Sequence, residues 1–506
     1  MVRLRRWSPG PAWLLTAALG VGCTGGPEPA DPGRVAEAAG FDVLRRAALS
    51  PMEGPVVRYD GYVVRPVSLQ VFEGFRVSAA LWLPDGPGPH PGVLVAHGHF
   101  GEGKSAGESQ GPAHALARAG YAALAVDTPG VEEGDLPGRR IHFEAGAHGR
   151  ALLASAGTSA MAAQLHGLVA GLDYLDGRPD VGPLAVIGAS GGAVQALYLL
   201  FVDPRPVGAV LASYVPMPRE ARAGGCACDG LPGWPGPDPR LLAATPRPTL
   251  WLSELEQPPP EGLPRSATHR VLPGGHGYSD AMVAATLDWL SDRLGGGEAV
   301  EGPVPYTDPA RLRSRSVGTA RFADLLHPED PPRWSPAPDL DAPYTVDCAG
   351  EGPRVILAGG EAADRAALEA AGFSACTLAV RADEVGLDEG LITQRPYVDR
   401  FAGALAAAAA RERAVGVYAA RAWGVAAEGA ASLPEAPPYV LRDPLTRPQD
   451  VDPARDPAWV HAPGWWWRED PYAKAVVTGA DPVALAARLA ATPEAAAALT
   501  GREVTP

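Results

Sequence analysis

Lysine is nearly absent from this 506-residue chain: Lys104 and Lys474 are the only two, and the rest of the positive charge is arginine. Asp and Glu number 58 against 43 Lys and Arg, which leaves a net charge of −15. A phosphate backbone demands a basic face, so nucleic acid is excluded as a partner. Cysteine is scarce too, with five residues and no zinc-site spacing among them. Cys226 and Cys228 lie too close for an easy mutual bridge, and the pairing of Cys226, Cys228, Cys348 and Cys376 stays open. Against these shortages stand 61 glycines and 55 prolines. They punctuate strongly apolar stretches, so they mark turns and linkers rather than disorder. Apolar residues make up 46% and charged residues 20%, an ordinary globular balance. At about 100–200 residues per domain, the length suggests several domains or two large ones.

The N-terminus reads as a targeting segment. Arg3, Arg5 and Arg6 precede a short apolar run, Ala12 to Val21, which is too short to span a bilayer. Gly22-Cys23 follows at once. The pattern resembles a bacterial lipoprotein signal, although Gly20 stands where Leu is usual. That resemblance implies removal of residues 1–22, a lipid on Cys23, and export to the cell envelope. The membrane is then met only through this lipid. Residues 23–40 read as a Gly/Pro-rich tether.

From Tyr62 onward the pattern turns to strands. Tyr62 to Val71 and Phe75 to Leu83 alternate, and Leu83-Pro84-Asp85-Gly86 closes them with a turn. Gly92 to Ala96, Ala122 to Val126, Leu184 to Ile187, Val207 to Ala212 and Thr249 to Ser253 are short continuous apolar runs of the buried parallel kind. Helical patterns separate them, ending with Ala281 to Leu294. This alternation predicts an α/β fold, a mostly parallel sheet with helices on both faces. Residues 41–297 form this unit, and residues 298–345 read as a linker.

After the linker the pattern restarts in the same order. Val355-Ile356-Leu357-Ala358 answers Val93-Leu94-Val95-Ala96, and the segment Ala367 to Val380 lines up with Ala115 to Val126. A helix recurs at Tyr397 to Arg411 and a strand at Val415 to Tyr418. Residues 346–506 are therefore expected to be a smaller, degenerate α/β domain on the same plan. In it, Arg421 falls where Ser190 stands in the first. The run Trp459 to Trp467 reads more readily as packing than as a sugar-stacking platform.

The chemistry centres on Gly188-Ala189-Ser190-Gly191-Gly192, a G-x-S-x-G motif placed after an apolar strand and before a helix. Such a turn lifts the serine hydroxyl above a sheet at a helix N-terminus, where N–H groups favour a developing oxyanion. A serine needs a base, which in this motif's setting comes late in the chain. His276, in Gly274-Gly275-His276-Gly277, fits. The acid should follow Thr249 to Ser253, where Glu254 and Glu256 are the candidates. Glu256 is preferred because it sits deeper in the loop. The N–H groups of Gly191 and of His99, in His97-Gly98-His99, are the candidate oxyanion donors. His97 and His99 could also be read as metal ligands, but no third ligand stands at a sensible spacing.

These pieces resemble the α/β-hydrolase superfamily, in its acetyl xylan esterase-like or dienelactone hydrolase-like group. The matching residues are Leu83-Pro84, His97-Gly98, Ala119-Gly120-Tyr121, Asp127, the turn around Ser190, Cys226-Ala227-Cys228, Pro246-Arg247-Pro248 and Gly275-His276-Gly277. They cover Tyr62 to Leu294. The group usually has an Asp after its Pro-Arg-Pro strand; here Gln257 stands near that place. The resemblance implies a cofactor-free serine hydrolase that cleaves small esters or acylated saccharides through an acyl-enzyme. The alternative is a non-catalytic envelope protein that keeps the scaffold for binding.

Overall fold

The computed structural model describes residues 33–142, 156–214, 244–254, 266–297, 302–326, 344–380, 397–420, 439–442 and 476–477, with isolated positions at 146, 149–150, 152–153, 230, 263 and 430. Cys23, Cys226, Cys228, Glu256, Arg421 and the Trp459 to Trp467 run lie outside them.

Among the described residues the first sheet has ten strands: β1 (Met52–Glu53), β2 (Val57–Tyr59), β3 (Tyr62–Phe72), β4 (Phe75–Pro84), β5 (His90–Ala96), β6 (Ala122–Val126), β7 (Val181–Ala189), β8 (Pro206–Ala212), β9 (Thr249–Glu254) and β10 (Ala267–Leu272). Their order is β1-β3-β4-β6-β5-β7-β8-β9-β10, with β2 paired to β3. β3 and β4 form an antiparallel hairpin, and β4 runs antiparallel to β6. From β6 to β10 every pairing is parallel.

The continuous apolar runs of β5 and β6 follow from burial on both faces. Leu94 and Ala96 pack into one core with the helices Ala160–Asp176 and Gly191–Val202. Val93 and Val95 pack into the other with the helices Gly107–Arg118 and Asp280–Leu294. One-residue alternation along each strand thus feeds two separate cores. Ser159 and Ser279 start their helices by accepting from Ala162 N and Met282 N.

Two segments differ from the sequence expectation. Residues 33–39, assigned to the tether, form a helix whose Val35 and Ala39 are buried in the first core. Residues 302–326, assigned to the linker, pack along the first unit. Thr307 N–H donates to Gln110 Oε1 at 2.8 Å, and its hydroxyl lies 3.0 Å from His114 Nε2. Arg139 donates to the carbonyls of Val317 and Ala320, each at 2.6 Å. Leu312 and Phe322 are fully buried.

A second, smaller sheet contains β11 (Tyr344–Ala349), β12 (Arg354–Ala358), β13 (Ser374–Val380), β14 (Gly416–Ala420), β15 (Tyr439–Arg442) and β16 (Val476–Val477). Its order is β11-β13-β12-β14-β15-β16, with β11 antiparallel to β13 and the rest parallel. This is the order and direction of β4-β6-β5-β7-β8-β9, strand for strand. Cys348 and Cys376 face each other across β11 and β13 and form a disulfide.

Candidate active site

The serine turn is built by close backbone approach. β7 ends at Ala189, the helix Gly191–Val202 begins one residue after Ser190, and Ser190 takes φ 55° and ψ −122°. A non-glycine residue rarely holds a positive φ, and such strain concentrates at functional turns. A Cβ on Gly188 would lie 2.2 Å from Gly192 O, and one on Gly192 would lie 2.1 Å from Ala96 O. Only glycine fits either place. Ser190 N–H donates to Ala212 O at 3.0 Å, which ties the turn to β8.

Three side chains from three segments meet at this turn. His276 Nε2 lies 2.9 Å from Ser190 Oγ. Its other ring nitrogen, Nδ1, lies 3.2 Å from Glu254 Oε1. With Nδ1–H toward the carboxylate, Nε2 is left as the acceptor for the serine hydroxyl, a tautomer assigned from these neighbours. Glu254 ends β9 and is 4% exposed, whereas the His276 side chain is 49% exposed. The Glu254 contact has ion-pair reach rather than aligned hydrogen-bond geometry, because neither carboxylate oxygen forms a hydrogen bond among the described residues. The carboxylate on the imidazole is therefore Glu254. Glu256, preferred on sequence grounds, lies outside the described residues. The strand was read as ending at Ser253, but it runs one residue further and carries the carboxylate at its last position.

This arrangement completes the topology. The fold is that of the α/β-hydrolases. An antiparallel opening pair, a single exchange of β5 and β6, and a run of parallel strands place a serine turn after β7, a carboxylate at the end of β9 and a histidine loop after β10.

The loop after β5 borders the serine. A Cβ on Gly98 would come within 2.7 Å of Ala189 O and 3.1 Å of Ser190 Cβ. His97 is buried; its Nδ1 lies 2.6 Å from Gly98 O, and its Nε2 accepts from Thr128 N at 3.0 Å. Burial pushes its pKa down to about 3, so it is a neutral brace. Gln195 Nε2 donates to His97 O at 3.3 Å from the helix behind the serine. His99 is half-buried, with its ring edge-on to His142 at 5.4 Å between centroids. Gly191 opens the helix Gly191–Val202, where a first-turn N–H has no intrahelical acceptor. Among the described residues, no group of three or more His, Cys, Asp or Glu side chains is placed to hold a metal ion.

A cavity of about 310 Å³ opens beside Gly98, lined by His99, Phe100, Glu132, Arg140 and His142 among others. Glu132 of this lining also belongs to a buried charge cluster that sequence reading did not single out. Lys104 is fully buried; its Nζ lies 2.7 Å from Asp127 Oδ2 and 3.6 Å from a carboxylate oxygen of each of Glu132 and Glu133. Burial opposes the ammonium charge, but Asp127, Glu133 and Glu132 hold the Lys104 pKa above its ordinary value. Burial pushes Asp127 up to about 6 against the pull of Lys104. Glu132 also pairs with Arg313 at 2.7 Å, and Glu133 accepts from the N–H groups of Ser314 and Arg315. The visible sequence signal was the isolation of Lys104 in a chain almost without lysine.

No protein-family model matches the chain, and no curated protein matches its sequence. Solved structures of esterases do align with it. It is similar to Methylesterase BT1017 at 20% identity, over 58% of this chain and 71% of that one, with a TM-score of 0.47. Acetyl xylan esterase 1 from Thermoanaerobacterium sp. aligns at 13% identity, over 52% of this chain and 94% of that one, with a TM-score of 0.40. Glucuronoyl esterase from Solibacter usitatus aligns at 15% identity, over 52% and 92%, with a TM-score of 0.39.

Proposed function

We propose that the protein is a serine ester hydrolase in which Ser190, His276 and Glu254 form the catalytic triad. The observation that carries this reading is the pair of contacts on one imidazole, 2.9 Å to Ser190 Oγ and 3.2 Å to Glu254 Oε1. Ser190 Oγ attacks the ester carbonyl as His276 Nε2 takes its proton. Glu254 holds the ring orientation and favours the imidazolium that forms. The N–H groups of Gly191 and His99 are the donors this reading assigns to the developing oxyanion. The same imidazolium then protonates the departing alkoxide, leaving an acyl-enzyme. Water, activated by His276, attacks that acyl group and frees Ser190. Loss of the carboxylate would cost orientation, so a Glu at the acid position serves as an Asp would. The substrates are small esters or acylated saccharides, whose hydroxyls match the mixed lining of His99, Glu132, Arg140 and His142. The test is labelling with a fluorophosphonate probe. A single adduct on Ser190 supports the reading, and an unlabelled wild-type protein refutes it.

We further propose that the protein is exported and held on a membrane by a lipid on Cys23. The Gly22-Cys23 pair after a short apolar run supports this. Wild type is expected in the membrane fraction and Cys23→Ala outside it. Wild type found wholly in soluble fractions would overturn the anchor.

A further inference from the structure

Ser213 lies one residue beyond β8, has no exposed surface and holds a left-handed backbone at φ 49°. No chemistry described so far uses it. Its hydroxyl donates to Gly277 O at 2.6 Å and accepts from Gly277 N–H at 3.1 Å. One side chain thus satisfies both backbone groups of the residue that follows His276. Its own N–H donates to Leu252 O at 2.8 Å, two residues before Glu254. The preceding residue, Ala212, accepts from Ser190 N–H at 3.0 Å. The dipeptide Ala212-Ser213 is therefore bonded to each of the three segments that carry Ser190, Glu254 and His276.

The histidine loop is rich in glycine and largely exposed. Gly274 and Gly277 take φ 142° and 132°, conformations that only glycine holds easily, and Gly274, Gly275 and His276 are exposed. Gly277 itself is buried against Ser213. An imidazole on such a loop reaches Ser190 Oγ only if its backbone is pinned close by.

We infer that Ser213 is a positioning residue for the hydrolytic reaction: its hydroxyl clamps the Gly277 peptide and so sets the His276 imidazole between Ser190 and Glu254. This inference rests on the serine-hydrolase reading. The clamp acts on proton transfer and not on substrate contact, so its loss should fall on kcat and spare KM.

The experiment compares wild type, Ser213→Ala and Ser213→Gly on a p-nitrophenyl ester, at a temperature below all three melting points. Ser213→Gly removes the hydroxyl while relieving the left-handed backbone, so a merely structural role would leave its kcat intact. The expected result is a fall in kcat of about ten- to a hundredfold in both variants, with KM within about twofold. Hydrogen–deuterium exchange of the peptide carrying Gly277 should quicken in both, a readout that does not depend on turnover. Wild-type turnover with variants of equal kcat and unchanged exchange would overturn the clamp and leave the hydrolase reading standing. A wild type that neither turns over esters nor takes a fluorophosphonate would overturn both.

Discussion

Gly120 and Gly372 occupy matching left-handed corners, at φ 88° and 87°. Each lies just past a helix, in Ala119-Gly120-Tyr121 and Ala371-Gly372-Phe373. The bonding around them is the same. Tyr121 N–H reaches back to Leu116 O at 2.9 Å, and Phe373 N–H reaches back to Leu368 O at 3.0 Å. Together with the shared strand order, this shows one βαβ plan used twice in the chain. No atom would block a Cβ at either glycine. Alanine there should thus cost only the left-handed conformation, about 1–2 kcal/mol. Urea denaturation of Gly120→Ala and Gly372→Ala should show losses of this size, with hydrolytic activity retained in Gly372→Ala. A neutral or stabilising effect at either site would contradict the assignment.

The buried cluster around Lys104 makes a sharper demand. Replacing Lys104 by Met leaves Asp127 buried, with Glu132 and Glu133 beside it and no shared cation. Breaking a buried pair in this way costs about 3–5 kcal/mol. Arg313 is exposed and touches the same Glu132, so Arg313→Ala should cost far less than Lys104→Met. Chemical denaturation of the two variants checks the contrast. Equal losses would mean that Lys104 is not the centre of the cluster.

Acid should weaken the fold through three buried imidazoles. Burial lowers His97 to about 3 and His114 and His166 to about 4, from an ordinary 6.5. Below 6.5 the unfolded chain takes up protons on these rings, and the folded chain does not until the lowered values are reached. Stability contributed by the neutral rings is therefore full above 6.5 and is lost as pH falls toward 4. Asp127 works the other way between about 6 and 3.8, since it is raised in the fold, but it is one group against three. The melting temperature should drop between pH 7 and pH 5. A flat or rising profile over that interval would contradict the burial of these rings.

Much of the site was legible because its signals are local. Ser190 is marked by an apolar strand, two indispensable glycines and a helix start, all within a few residues. His276 is marked by its glycines. Glu254 was passed over because Glu254-Leu255-Glu256 reads as a charged loop, and nothing in it reveals that the strand persists to Glu254. The segment 302–326 was read as a linker for a similar reason. It docks through carbonyls that Arg139 reaches from far away in sequence, and such bonds leave no periodicity. The Cys348–Cys376 bridge depends on the register of β11 against β13, which cysteine spacing alone does not contain.

The most direct test of the triad is turnover by its three single variants. Ser190→Ala and His276→Ala should each lower kcat for a short p-nitrophenyl ester by on the order of a millionfold, and the double variant should be little worse than either. Glu254→Gln should lower kcat by about ten-thousandfold, by releasing the ring's orientation and tautomer. With the acid role assigned to Glu254, Glu256→Gln should change kcat by no more than a few-fold. Near-wild-type turnover in Glu254→Gln, with the loss appearing in Glu256→Gln instead, would contradict the assignment of the acid. Undiminished hydrolysis in Ser190→Ala would contradict the account as a whole.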